Sequence, residues 1–415
     1  MTYALLIFVF ALPIAYSLKA SLRGGQVEVN HVTLLSFGFL AYWVAPIALG
    51  LVFQEQLGTM LGSSWIDTFL SSGHFDRYLT SIALIYAAFA AGDWLGKRRR
   101  PRVAPPPGVV SLKVLAVLAG IGLILTMATS YQAREILLQG HYATDTDSEG
   151  TRGAVVASCI FLFTIALMYA VRTKPTKAKQ LLANTFMMCW WPIGLIILIS
   201  GTRLYFISFL LMLLVYWTVY VRPIALRSFV GALASSILLA GVVGVYRMGD
   251  GTVLGNILGE PIYTSFSLLA FLANGDLHYV NVPTYLASDL INLAPTVLLP
   301  NKDRLIHYIP DVYSPLGALN SYVSFDSNFG LVGTAILMLL FAFGMRCLRR
   351  RSGAFSAPAY VMISGWSAFA LFRDPFAISI VKDILEFSIL IPAAICTASF
   401  WLRWSGCPDH EPAPQ

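Results

Sequence analysis

Apolar runs recur along this chain at close to the length of about 17 to 25 residues that carries a helix across the hydrocarbon core of a bilayer. They cover residues 2–18, 32–53, 79–96, 111–130, 153–171, 181–200, 204–221, 228–246, 329–346, 358–372 and 384–402. Only a segment that satisfies its own backbone hydrogen bonds is stable where there is no water, and a helix does so. The expected class is therefore all-α, a polytopic integral membrane protein with eleven transmembrane helices. Composition agrees. Of 415 residues 57% are hydrophobic and 12% charged, and the mean hydropathy is +0.71, which excludes the two or three soluble domains that length alone suggests.

The net charge of +7 does not form one basic surface of the kind nucleic acid needs. Its positive residues come in short clusters between apolar runs. Run 2–18 lacks a preceding positive region and a small-residue cleavage site, while Lys19 and Arg23 follow it, so it reads as a retained first helix with its N-terminus outside. With that start, 19 of the 28 Lys and Arg residues fall in inner loops, among them Lys97 to Arg102 and Arg346 to Arg351. The positive-inside rule supports this orientation. The five cysteines are scattered and show neither a disulfide framework nor a metal-ligand spacing.

The chain divides into eight helices over 1–246, a large polar loop over 247–328, three helices over 329–403 and a short cytoplasmic tail over 404–415. The stretch Lys97 to Gly108, rich in Arg and Pro, reads as an extended cytoplasmic linker. The loop holds two moderately apolar stretches, 256–273 and 284–299. Glu260 and Pro261 are expected to break the first, and Asp289, Asn292 and Pro295 the second. Both are expected to be short re-entrant or interfacial helices facing outward.

Several polar residues fall where chemistry could be done. Ser200-Gly201-Thr202-Arg203 joins two apolar runs by a minimal outward turn, and a guanidinium at a membrane boundary either snorkels to headgroups or has a partner such as phosphate. Arg373-Asp374-Pro375 is a second outward turn, in which Arg373 either adds a cation or is neutralised by its neighbour. In the loop, Lys302 and Arg304 place two cations together, while His307, Asp311 and Asp326 are alternative general bases. Asp145-Thr146-Asp147 has the D-x-D form of metal-dependent transferases within a polar, solvated composition. Asp93 precedes Lys97 by four residues, and an i,i+4 pair accounts for it.

Three of these patterns resemble the bacterial O-antigen and oligosaccharide repeat-unit polymerases. Ser200-Gly201-Thr202-Arg203 resembles an outward S-G-x-R turn, Pro295 through Lys302 a P-x-x-x-x-P-x-K segment, and Asn328-Phe329-Gly330-Leu331-Val332-Gly333 an N-F-G-x-x-G that opens the next helix. The chain departs from the family at Ser324-Phe325-Asp326-Ser327, where many relatives place an acid or tyrosine differently. His278 and His307 stand alone, unlike the paired loop histidine of the related ligases.

The resemblance implies a GT-C-like glycosyltransferase in the bacterial cytoplasmic (inner) membrane, with its active site facing the periplasm. Donor and acceptor would both be undecaprenyl-diphosphate-linked glycans. Arg203 would hold the leaving diphosphate, with Lys302, Arg304, Arg373, Glu260 and Asn328 binding substrate and Asp311, Asp326 or His307 accepting the proton. No metal or other cofactor is expected. Beyond the lipid bilayer and its substrates, expected partners are a chain-length regulator and a flippase, with no nucleic acid. The alternatives are an O-antigen ligase with a lipid A core acceptor and, from another class, a transporter of lipid-linked glycan.

Overall fold

The computed structural model describes residues 2–52, 74–98, 110–134, 146–173, 193–197, 203–231, 253–274, 320–351, 353–374 and 377–404, with a few isolated positions between them. Eight helices among the described residues are long and apolar enough to cross a membrane, so the chain has a helical, multi-pass architecture. They coincide with eight of the expected runs. Runs 181–200 and 228–246 lie largely outside the described residues.

The chain divides into two compact units, of which the first comprises Met1–Arg99, Leu210–Arg346 and Ile363–Asp383. It begins with α1 (Thr2–Ser21), which packs against α2 (His31–Phe39) and α4 (Phe75–Arg98). Between α1 and α2 the chain forms β1 (Leu22–Arg23) and β2 (Gln26–Val27). They are joined through Gly24 and Gly25 at φ 57° and 76°, the left-handed pair that a two-residue hairpin turn requires. A third strand, β3 (Ile224–Ala225), completes this small sheet, which sequence reading did not anticipate. Asn30 then caps α2, its side chain accepting from the Val32 and Thr33 amides while Thr33 Oγ1 accepts from the Asn30 amide. This reciprocal box satisfies amides that would otherwise be orphaned at a buried helix start.

A π-helical turn, Leu40–Val44, links α2 to α3 (Ala45–Val52). Its looser hydrogen bonding is read from outside, since the Tyr42 carbonyl accepts from Ser265 Oγ and the Trp43 carbonyl accepts from Tyr78 OH at 2.9 Å. Ser265 belongs to α8 (Val253–Asn274), which corrects an expectation. Pro261 does not break this helix. Packing explains its persistence, because Thr264, Ser265, Ser267, Leu268 and Leu269 are buried and α8 lies against the π-turn, α3 and α4. The apolar part is nonetheless short, Pro261–Leu272, as the interrupted composition suggests. Stretch 284–299 lies outside the described residues apart from isolated positions.

The ninth expected run corresponds to α9, which begins at Ser321, earlier than residue 329, and extends to Arg349 with a non-helical residue, Gly330, inside it. Run 358–372 is also corrected. It is not one continuous helix but α10 (Ser356–Trp366), a tightened buried turn over 367–369 and α11 (Ala370–Arg373). Bonds from the Ala368 and Phe369 amides to the Gly365 and Trp366 carbonyls step the chain from four-residue to three-residue spacing.

Two glycine contacts hold unit 1 together. Gly92 and Gly96, one turn apart on α4, meet the Leu339 carbonyl and the stem of Arg346 on α9, the close approach that small-xxx-small spacing permits between membrane helices. Gly38 on α2 leaves no room for a Cβ beside the Ala368 carbonyl and the Phe372 ring. Gly38→Ala is expected to lower stability by about 1–3 kcal/mol through overpacking, seen as a lower unfolding temperature in detergent. Gly120→Ala, where an added Cβ would meet no atom within 4 Å, is the control and should be neutral.

The second unit comprises Arg100–Phe209, Cys347–Met362 and Ile384–Gln415. Here α5 (Leu112–Gln132) and α6 (Thr146–Thr173) pack closely, with Gly122 admitting Phe161 and Leu162. Val110, Leu115, Ile165, Met168 and Ile395 form its apolar core, and α12 (Ile391–Trp404) lies on α6. Phe163 stacks on Phe209 of α7 (Arg203–Tyr216) at 4.5 Å between centroids.

Candidate functional site

The Arg373-Asp374 turn meets the start of α9, the helix that carries the N-F-G-x-x-G segment. Asn320 precedes this helix and caps it, its Oδ1 accepting from the Tyr322 amide at 2.9 Å. The same side chain donates through Nδ2 to the Thr264 carbonyl of α8 at 3.3 Å. Ser321 Oγ donates to the carbonyls of Ala370 and Asp374. One capped helix start therefore ties α8 and the Arg373-Asp374 turn together. Arg373 Nη1 lies 3.2 Å from Asp374 Oδ1, the local ion pair that was one of the two readings of this turn. Aromatic rings fill the space beside it, with Trp43 edge-on to Tyr322 at 5.8 Å and to Phe372 at 5.0 Å.

Farther along α9, the N-F-G-x-x-G pattern acquires a physical account. Gly330 sits at φ 69°, ψ 171°, a region that only glycine enters without strain, and there the helix kinks. Thr334 Oγ1 donates to the Gly330 carbonyl at 2.9 Å. The kink brings the Phe329 side chain over Gly333, where a Cβ would collide with it. Asn328 is buried and donates through Nδ2 to the Ser324 carbonyl at 2.6 Å, while its Oδ1 has no hydrogen-bond partner among the described residues. Asp326, half-buried, lies between Ser324 and Asn328 on this helix.

Of the sequence-derived candidates, the structure thus brings Asp326, Asn328 and Arg373 to elements that touch, α9 and the α11 turn. Arg203 is the first residue of α7 and Glu260 lies within α8. Lys302, Arg304, His307 and Asp311 lie outside the described residues, as does Asp145.

A second polar cluster in unit 1 surrounds Asp93. The expected Lys97 pair is present at 3.6 Å, yet it is one of four contacts. His31 Nε2 and Arg346 Nη1 approach Asp93 Oδ1 to 3.2 and 3.5 Å, and Tyr16 OH donates to Oδ2 at 2.7 Å. The side chains of His31 and Asp93 are fully buried. One carboxylate thereby joins α1, α2, α4 and α9. Tyr16, His31 and Arg346 are distant in the chain from Asp93, a juxtaposition that the i,i+4 pair with Lys97 does not contain.

Compared with protein-family models, curated proteins and solved structures, the chain matches none.

Proposed function

We propose that the chain is a membrane glycosyltransferase that polymerises undecaprenyl-diphosphate-linked repeat units into O-antigen or a related surface polysaccharide at the periplasmic face of the bacterial cytoplasmic membrane. The observation that carries this reading is the N-F-G-x-x-G segment. Its kink at Gly330 and its Phe329 seated on Gly333 give these residues a geometric reason, on a helix whose start is tied to the Arg373 turn. That support adds to the multi-pass architecture and the two other patterns, at 200–203 and 295–302.

In the proposed reaction the acceptor hydroxyl oxygen bonds to the anomeric carbon of the donor chain. The bond from that carbon to the lipid diphosphate breaks, and the diphosphate leaves with the electron pair. The hydroxyl proton passes to one of Asp326, Asp311 or His307. Charge builds on the leaving diphosphate, and preplaced guanidinium and ammonium groups stabilise such charge without reorganisation. Arg203 is assigned that role, with Lys302, Arg304 and Arg373 as secondary candidates for it. Glu260 and Asn328 are assigned to substrate binding.

Because these cations take the place of a divalent ion, polymerisation by purified protein is expected to persist in EDTA. Strict dependence on added Mg²⁺ or Mn²⁺ would return the D-x-D at Asp145 and Asp147 to the mechanism. Loss of the chain in cells separates this reading from a ligase. A polymerase defect leaves single repeat units on lipid A, and a ligase defect leaves finished polymer on undecaprenyl diphosphate.

The Asp93 cluster favours a second reading, a transporter of anionic lipid-linked glycan. Buried ionisable groups within membrane helices commonly mark transport pathways. Movement of labelled lipid-linked glycan across a proteoliposome without glycosidic bond formation would select it.

A further inference from the structure

Arg77 lies in the first turn of α4, where its side chain is exposed. Its Nη1 donates to the Leu272 carbonyl at 3.1 Å. Leu272 belongs to the last turn of α8, whose final carbonyls have no partner within the helix, so Arg77 caps α8. A cation in the first turn of α4 faces the positive end of that helix dipole, which favours an anion. One carbonyl also engages a single donor of the five that a guanidinium carries, and a lysine would serve as well. The Leu272 carbonyl is the one hydrogen-bond partner of this guanidinium among the described residues. Anchored at one nitrogen, the fork retains N–H groups for another acceptor, and two parallel donors match two oxygens of a phosphate.

The surroundings point the same way. Ser267 Oγ of α8 accepts from the Asn320 amide, and Leu272 lies about 7.5 Å farther along that helix. Helix α8 also packs on α11, which ends in Arg373, a side chain 30% exposed. Arg77 on α4 and Arg373 at the end of α11 thus lie on two helices that both pack against α8, which Asn320 and Ser321 connect to the start of the N-F-G helix and to the Arg373 turn. Arg77 precedes the apolar run 79–96 expected for this helix.

We infer that Arg77 is a diphosphate-binding residue, taking the diphosphate of a prenyl-linked substrate at the end of unit 1 that carries Arg373. This inference rests on the glycosyltransferase reading. It adds a cation from α4 to those assigned above.

The test uses full-length protein in phosphatidylcholine nanodiscs titrated with farnesyl diphosphate, with inorganic pyrophosphate and farnesol as parallel arms. Wild type is expected to bind farnesyl diphosphate more tightly than either. Arg77→Ala should weaken that binding by about tenfold or more, the effect of one lost charge-assisted contact. Arg77→Lys should restore the unfolding temperature of the ligand-free protein but not the diphosphate affinity, a split that a purely capping role would not produce. Equal farnesyl diphosphate affinity in wild type and Arg77→Ala would overturn the inference while leaving the glycosyltransferase reading in place. Equal effects of Arg77→Ala on pyrophosphate and farnesyl diphosphate, at equal affinity, would assign the site to free phosphate and overturn the prenyl source. Wild type that binds no farnesyl diphosphate in any arm would overturn the substrate class itself.

Discussion

Asp93→Ala is expected to destabilise the protein by about 3–5 kcal/mol, the cost of removing one member of a buried, hydrogen-bonded ion cluster. The carboxylate is fully buried and meets His31, Arg346, Lys97 and Tyr16 within 3.6 Å, so alanine would leave buried donors and cations around an emptied position. Four helices lose their common contact at once. Asp93→Asn keeps the volume and an acceptor for Tyr16 while removing the charge, and should fall between alanine and wild type. Lys97→Ala removes a partner whose side chain is 32% exposed, and is expected to cost less than about 1 kcal/mol. Thermal unfolding of the four proteins in one detergent measures this order. Asp93→Ala unfolding with wild type would mean that the cluster does not hold α1, α2, α4 and α9 together.

Arg203→Ala carries the largest expected effect on activity. Removing one preplaced donor from developing negative charge typically costs about 10²–10³ in rate, enough to eliminate long polymer from a multi-step extension. Arg203 opens α7, immediately after the Ser200-Gly201-Thr202 sequence. Arg203→Lys keeps the charge without the planar fork, and should retain only a small part of the activity. The readout is the ladder of glycan lengths at matched protein level. A normal ladder from Arg203→Ala would remove Arg203 from the mechanism.

Hydrophobic patterning made the membrane helices legible, because a run that must cross hydrocarbon declares itself by length and composition. Helix α9 shows the limit of that signal. Residues 321–328 are too polar to read as part of a span, yet Asn320 caps them into a helix and Gly330 turns the chain between the two parts. Pro261 misled in the opposite direction, since local propensity argued for a break and burial of Thr264, Ser265 and Ser267 against the π-turn and its neighbours outweighed it. Within 358–372, apolar composition concealed a tightened turn that only the bonding pattern reveals.

Long-range side-chain encounters were the least legible. The Lys97 contact of Asp93 follows from spacing along one helix, whereas Tyr16, His31 and Arg346 reach the same carboxylate from distant parts of the chain. The available clue was an ionisable residue inside an apolar run, Asp93 within 79–96, with His31 and Arg346 at the margins of two others. Arg77 was hidden for a related reason, because its partner carbonyl belongs to a helix expected to be broken. By contrast, the Arg373 and Asp374 pair was readable from adjacency, and the N-F-G-x-x-G glycines gained their reason from backbone geometry.

Incubating the purified full-length protein with a single undecaprenyl-diphosphate-linked repeat unit, in the presence of EDTA, tests the central claim most directly. The account predicts lipid-linked products at discrete multiples of the repeat unit and release of undecaprenyl diphosphate, with Arg203→Ala yielding only the starting unit. Recovery of unextended repeat unit from the folded wild-type protein, with or without divalent metal, would contradict it.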